Sequence, residues 1–91
     1  MNWRLKIPDE ADQEIVGLPT EDLQEEALAI IDDLAEDPFP GDELKMRGYE
    51  DQYRIRFGSE RYRIVYRVDL KQRVVTILRV RPRSTAYRGM R

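Results

Sequence analysis

The alternation of apolar and polar positions at the start of the chain predicts a strand followed by a short helix. Residues 2–7 alternate with the period of a half-buried strand. Pro8-Asp9 ends this strand, and Asp9 is a suitable N-cap for a short helix that Gly17 and Leu18-Pro19 break. The apolar stripe of that helix consists of Ala11, Ile15 and Leu18.

A second, longer helix is the clearest element in the sequence. Thr20 can cap its N-terminus, where the acidic residues that follow suit the positive end of the helix dipole. Apolar and acidic positions then separate onto two faces with the helical period. The apolar face consists of Leu23, Ala27, Ile30, Ile31 and Leu34, and the acidic face of Glu25, Glu26, Asp32, Asp33 and Glu36. Two prolines, Pro38 and Pro40, stop the helix because they cannot continue its hydrogen bonding.

Beyond these prolines the apolar period changes from 3.6 to 2, which predicts strands. Gly58-Ser59-Glu60 forms a tight hairpin turn, and 69–73 is a second connection between strands. The last strand is apolar almost throughout, which is typical of a central strand covered on both faces. Little regular structure is expected in 81–91. The predicted strands are residues 43–47, 53–57, 62–68 and 74–80.

This order of elements predicts an α+β fold of two layers. Two N-terminal helices pack on one face of a mostly antiparallel sheet of four to five strands, in the order β-α-α-β-β-β. Residues 1–91 are expected to form a single domain, since no repeat or linker interrupts them. Because the helices cover the apolar face, alternate strand positions must point to the opposite, uncovered face. Arg54, Arg56 and Arg63 are predicted to converge there.

Charge is divided unevenly between the two halves of the chain. Residues 1–43 hold 2 Lys or Arg against 14 Asp or Glu, whereas residues 44–91 hold 14 against 4, and the whole chain has a net charge of −2. Of the 14 basic residues in the second half, 12 are arginine, whose planar fork of donors matches phosphate oxygens. A polyanionic partner is one interpretation. A solvated basic sheet that balances an acidic helical layer is the other.

Composition excludes several classes of chemistry. The chain has no cysteine and no histidine, so disulfides, thiolate or imidazole catalysis and the usual zinc ligands are absent. No stretch approaches the length of a membrane span, and the first residues lack the apolar segment of a signal peptide. We therefore expect a soluble, cytoplasmic protein without a metal or small-molecule cofactor.

Arginines on neighbouring strands repel one another unless something anionic lies against them. Such a cluster suits two uses, namely holding a nucleic-acid backbone and stabilising a phosphate in its transition state. The alternative is that Asp and Glu side chains or a protein partner neutralise it. Tyr87 lies between Arg83 and Arg88 beyond the last strand, where it can either face the arginines or pack back on the sheet.

Segments 44–48, 51–58 and 62–66 resemble the RelE/ParE superfamily of bacterial toxins, and the resemblance covers nearly the whole chain. The ending 80–88 is similar to the RelE branch, with an arginine followed a few residues later by a tyrosine. This resemblance implies the toxin of a type II toxin–antitoxin system that cuts messenger RNA on the ribosome. Its partners would be a cognate antitoxin, the ribosome and mRNA.

The same resemblance implies the site residues. The catalytic residues would be Arg63, Arg83 and Tyr87, and the RNA-binding residues Arg54, Arg56, Arg81 and Arg88. The implied reaction needs no metal, since the 2′-hydroxyl of the RNA attacks the adjacent phosphate. Some RelE proteins carry a lysine on the first long strand, where this chain has arginines that are poor proton acceptors. Two alternatives stay open: a ParE-like inhibitor of DNA gyrase without nuclease activity, and a catalytically silent antitoxin-binding or regulatory member.

Overall fold

The computed structural model describes residues 3–86. Its five strands form a mixed sheet in the order β1-β5-β4-β3-β2, with β1 parallel to β5 and the other pairs antiparallel. The two helices lie on one face of this sheet, so the predicted two-layer α+β fold is confirmed. The elements are β1 (Arg4–Lys6), α1 (Asp9–Val16), α2 (Glu21–Glu36), β2 (Leu44–Lys45), β3 (Gln52–Phe57), β4 (Tyr62–Asp69) and β5 (Val74–Pro82).

The two helices start in different ways. Thr20 caps α2 as predicted, since its Oγ1 accepts a hydrogen bond of 3.1 Å from the backbone N–H of Leu23. The prediction for α1 was wrong by one residue, because Pro8 is the N-cap and makes no side-chain cap bond. Asp9 instead stands in the first turn, where its carboxylate faces the positive end of the helix dipole.

The core lies between the helices and the inner face of the sheet. The buried helical residues are the small and branched side chains of one stripe on each helix, which lets the helices approach the strands closely. The acidic face of α2 is exposed as predicted. The core consists of Ala11, Ile15, Leu18, Ala27, Ile31 and Leu34 from the helical layer, and of Ile55, Phe57, Ile64, Tyr66, Val68, Val75, Ile77 and Val80 from the strands.

Three strand predictions need correction. Residues 43–47 contribute only the two-residue β2 to the sheet edge, because the chain turns again at Gly48. The central strand is β4, whereas β5 has neighbours on both sides only at residues 74–76, where β1 pairs with it. Beyond that point β5 is an edge strand, and it continues to Pro82 in a segment expected to be irregular.

A β-bulge in β5 changes which side chains face the helices. The partner of Val65 is Arg79 and the partner of Tyr66 is Ile77, so Leu78 is an extra residue. Before the bulge, Val75 and Ile77 point into the core. After it Val80 takes that direction, and Arg79 and Arg81 are sent to the opposite side of the sheet. We call this side the outer face; its positions include Gln52, Arg54, Arg56, Arg63, Val65, Arg67, Arg79 and Arg81.

The Tyr66 side chain links the loop after α2 to the central strand of the sheet by a hydrogen bond. Its ring is fully buried, and its hydroxyl donates a hydrogen bond of 2.7 Å to the carbonyl oxygen of Pro38. Burial, and after it the nearby carboxylate of Glu43, raises the pKa of the Tyr66 phenol well above its ordinary value. The folded chain therefore holds this phenol in its neutral form.

Replacing Tyr66 by phenylalanine tests this bond. At neutral pH we expect a loss of about 1–2 kcal/mol in the free energy of unfolding, because the Pro38 carbonyl loses its donor. The pKa of Tyr66 is higher in the folded than in the unfolded chain, so its contribution is present below about pH 10 and lost as the pH rises further. Urea unfolding between neutral and alkaline pH should show that the free energy of unfolding falls less steeply with pH in Tyr66→Phe than in the wild type. Tyr49→Phe, a half-buried loop residue, is the control and should decline like the wild type.

Candidate functional site

Three arginines stand side by side across one end of the outer face. The strand register pairs Arg56 with Arg63 and Arg63 with Arg81, so the three come from β3, β4 and β5. Neighbouring strands lie about 5 Å apart, which brings the bases of these side chains close together. Arg54 and Arg79 occupy the next position along the same two outer strands. We call Arg56, Arg63 and Arg81 the arginine row.

The outer face is less bare than the sequence predicts. Of the three arginines expected to be uncovered there, only Arg56 is exposed; Arg54 is half-buried and Arg63 is only 6% exposed. Val65, on the same face, is fully buried. Its register neighbours are Arg54 and Arg79, and the aliphatic stems of such long side chains cover apolar surface while their charged ends reach outward.

Arg63 has a structural partner in the hairpin that precedes it. Its Nη1 donates to the carbonyl oxygens of Glu60, at 2.6 Å, and of Tyr62, at 3.0 Å. The turn it closes is tight, since Gly58, Ser59 and Glu60 all have positive φ. Arg63 therefore holds the hairpin and is itself held at the centre of the arginine row. Its guanidinium adds a fixed positive charge to the centre of the row.

A carboxylate from the helical layer reaches round the free edge of β5. Glu14 of α1 accepts a hydrogen bond of 2.7 Å from the backbone N–H of Val80. Its other oxygen lies 3.2 Å from Nε of Arg81 and 3.5 Å from Nη1 of Arg79. One carboxylate thus satisfies an edge-strand donor and orients two arginines of the outer face. Pro82 removes the next donor on that edge, which leaves little for another strand to pair with.

Arg83 lies just beyond the end of β5, beside the same hairpin. Its backbone N–H donates to the carbonyl oxygen of Arg61 at 2.8 Å, so the ladder between β4 and β5 extends past the last strand residue. The Arg83 side chain is exposed. We call the shallow depression here the hairpin cleft; it is lined by Ser59, Glu60, Arg61, Pro82, Arg83 and Ser84.

The ion pair between Arg56 and Glu60 is the kind that a ligand can replace. The Arg56 Nη1 lies 3.2 Å from the Glu60 Oε1, and the two side chains are 46% and 71% exposed. Exposed pairs contribute little to stability because water and salt screen them. A phosphate can therefore take the place of Glu60 at small cost.

The alternative of a cluster neutralised by carboxylates is met at several positions, since Glu60 pairs with Arg56, Glu14 with Arg79 and Arg81, and Asp51 with Arg67. An array of arginines whose positions are set by backbone carbonyls and one half-buried carboxylate suits a phosphate group or a phosphodiester backbone.

A family model described as the ParE toxin of the type II toxin–antitoxin system parDE matches residues 5–87. The chain belongs to this toxin family. A search of curated proteins gives no match.

Solved structures place this ParE-family toxin in the wider RelE/ParE superfamily, with a RelE-like fold. The isolated RelE toxin of E. coli is 28% identical with a TM-score of 0.76, over 88% of this chain and 83% of that one. RelE in the archaeal RelE–RelB complex from Pyrococcus horikoshii OT3 is 33% identical with a TM-score of 0.77, over 94% of this chain and 100% of that one. The RelBE2 complex from Mycobacterium tuberculosis matches at 25% identity and a TM-score of 0.70, over 91% and 100% of the two chains.

In this family member the sequence-predicted residues divide into two groups. Arg56, Arg63, Arg81 and Arg83 come together at one end of the outer face, and Arg54 stands one position further along the strand. Tyr87 and Arg88 lie outside the described residues, so their assignment stays a prediction.

Sequence reasoning missed two residues that shape the candidate site. Glu14 looks like one more acidic residue on a solvated helix face, and Arg79 lies in a run that reads as a buried strand. Neither residue carries a local signal, because their contact depends on how α1 docks against the bulged edge of β5. Within residues 3–86 no cluster of acidic side chains is arranged to hold a metal ion, and no helix is long and apolar enough to cross a membrane.

Proposed function

We propose that this toxin is a ribosome-dependent endoribonuclease that cuts messenger RNA and so inhibits translation. The observation that carries the proposal is the arginine row, with Arg83 beside it at the same end of the outer face. The likeness to RelE toxins, at 28–33% identity over most of the chain, supports it.

The proposed reaction is a transfer within the RNA itself. The 2′-oxygen forms a bond to the adjacent phosphorus while the bond from phosphorus to the 5′-oxygen breaks, which leaves a 2′,3′-cyclic phosphate and a 5′-hydroxyl. The proton of the 2′-hydroxyl passes to a base, and another proton reaches the leaving 5′-oxygen. Negative charge gathers on the phosphate in the transition state, and fixed guanidinium groups stabilise it there.

In this proposal Arg63 and Arg83 contact the transition-state phosphate, and Tyr87 orients the 2′-hydroxyl or helps to deprotonate it. Arg54, Arg56, Arg81 and Arg88 hold the RNA backbone. Arg56 and Arg83 are exposed and can reach a ligand, and the Glu14 carboxylate holds Arg81 in place. Arg63 is held by the Glu60 carbonyl and is only 6% exposed, so its contact with the phosphate requires the side chains that cover it to move aside.

A cognate antitoxin is the second proposed partner. Solved relatives are complexes of RelE with RelB, from Pyrococcus horikoshii and from E. coli. An antitoxin would lay a helix or an extended segment over exposed apolar and basic surface of the toxin. We expect expression of this chain alone to arrest growth and co-expression with the neighbouring small gene to restore it. A failed rescue would contradict that pairing.

Primer-extension mapping on a translated message tests the nuclease proposal. The wild type should give cuts in phase with codons, and these should disappear in Arg83→Ala and in Tyr87→Phe. The same message without ribosomes should stay intact. Cuts that persist in both variants would remove the assigned residues from the reaction.

Gyrase inhibition without nuclease activity is the competing function, favoured by the ParE description of the matching family model. A supercoiling assay with purified DNA gyrase separates the two proposals. Loss of supercoiling with no cuts in the message supports the ParE-like function. Expression that leaves growth unaffected would leave only a silent, antitoxin-binding role.

A further inference from the structure

The only two basic residues in the acidic first half of the chain occupy the same side of the sheet. Among residues 1–43 these are Arg4 and Lys6, against 14 Asp or Glu. Both lie on β1, where the register pairs Arg4 with Val74 and Lys6 with Thr76. Leu5, between them, packs against the core. Arg4 and Lys6 therefore project from the outer face and are exposed there.

These two side chains border a depression at the end of the outer face opposite the hairpin cleft. We call it the β1 depression; it is lined by Arg4, Leu5, Lys6, Arg67, Asp69, Gln72, Val74 and Thr76. Neither Arg4 nor Lys6 has an ion pair with any residue in the range 3–86. Arg67 lies 3.5 Å from Asp51, but both side chains are about half exposed, so that pair is weak. Three cations thus surround one lining carboxylate, Asp69.

The depression has a rigid frame. The backbone N–H of Arg4 donates to the Arg73 carbonyl oxygen at 2.9 Å, and the Arg73 guanidinium lies 4.5 Å from the centre of the Trp3 ring. These contacts hold the start of β1 against the start of β5. Arg4 and Lys6 therefore extend from a strand that is already held in place, so binding a ligand does not require the backbone to be ordered first.

The β1 depression and the arginine row belong to one continuous basic surface. Arg67 and Arg63 lie on the same face of β4, four residues and roughly 13 Å apart. Arg54 and Arg79 stand between these two positions on the flanking strands. A surface of this shape and charge suits an extended polyanion better than a single small anion.

We propose that the β1 depression binds the phosphodiester backbone of the RNA several nucleotides away from the phosphate that is cut. This rests on the proposed RNA substrate and extends its binding surface across the sheet to β1. Arg4, Lys6 and Arg67 neutralise phosphates there without reading base sequence. This role explains why β1 carries two positive charges in a half of the chain that is otherwise rich in carboxylates.

Binding of a fluorescein-labelled, single-stranded 2′-O-methyl RNA tests the inference, since this probe cannot be cut by attack of a 2′-hydroxyl. The variant Arg4→Gln/Lys6→Gln should bind roughly tenfold more weakly than the wild type by fluorescence anisotropy. The slope of log K against log salt should become shallower by roughly 1.4, as expected for two lost contacts to a single strand. Lys6→Gln alone should show about half of that change in slope.

Lys45→Gln/Lys71→Gln is the matched control. It removes the same two charges from exposed positions outside the depression and should bind within about twofold of the wild type, with an unchanged salt slope. Equal weakening in both double variants, or no weakening in either, would overturn the inference. If Arg4→Gln/Lys6→Gln binds the probe as tightly as the wild type and still cuts ribosome-bound message, the β1 site is refuted and the nuclease proposal stands. A wild type that neither binds the probe nor cuts message would instead refute the nuclease proposal.

Discussion

Arg83→Ala is expected to slow cleavage of ribosome-bound message by about two to three orders of magnitude, which is the usual effect of removing one donor to a developing negative charge. The side chain is exposed, and within residues 3–86 Arg83 is held only through its backbone, by the carbonyl of Arg61. The free energy of unfolding should therefore stay within about 0.5 kcal/mol of the wild type. Single-turnover primer extension measures the rate, and urea unfolding measures the stability.

Two further variants make this result specific. Arg83→Lys keeps the positive charge but loses the two-pronged donor, so its rate should lie between those of the wild type and Arg83→Ala. Lys71→Ala removes an exposed cation from the turn between β4 and β5, away from the hairpin cleft, and should leave the rate unchanged. A normal rate in Arg83→Ala would exclude this side chain from the transition state.

Glu14→Ala is expected to destabilise the fold by about 2–4 kcal/mol. The substitution leaves the Val80 N–H without its acceptor and leaves Arg79 and Arg81 without their carboxylate. The Glu14 side chain is only 18% exposed, so in the variant water can satisfy these donors only poorly. For a domain of this size the melting temperature should fall by roughly 10 °C or more. Thermal and urea unfolding measure both quantities.

Two comparisons show which contact matters. Glu14→Gln keeps an oxygen for the Val80 N–H but loses the charge, so we expect a smaller loss of about 1–2 kcal/mol. Glu10→Ala, on an exposed position of the same helix, should lie within about 0.5 kcal/mol of the wild type. If Glu14→Ala behaved like Glu10→Ala, the contacts at the β5 edge would be energetically unimportant.

The sequence predicts the layers of this fold because each layer has its own periodicity. The acidic face of α2 and the alternation in β3 and β4 both follow from which side meets the core. In β5 the alternation fails, since the extra residue Leu78 shifts the parity partway along an apolar run. A bulge is set by pairing with the neighbouring strand, and no pattern within β5 itself reveals it.

The alternation of side chains along the strands predicted which arginines share a face, but it predicted neither their burial nor their contacts. Parity correctly places Arg54, Arg56 and Arg63 on one face, but it does not show that Arg63 is buried and bonded to turn carbonyls. That contact depends on the positive φ of Ser59 and Glu60, which no preference of these residue types predicts. The role of Glu14 likewise depends on the docking of α1, which is a tertiary event.

The segregation of acidic helices from a basic sheet resolves an apparent conflict, since the chain has a net charge of −2 and yet is proposed to bind a polyanion. The domain is 26 Å across its shortest axis. At physiological ionic strength the Debye length is about 8 Å, so an approaching RNA interacts mainly with the charges on the surface nearest to it. The separated layers also give the molecule a large dipole moment, which exerts a torque in the field of a nucleic acid. This torque would rotate the toxin so that its basic sheet faces the RNA. A protein with an acidic isoelectric point can therefore still associate rapidly with a polyanion.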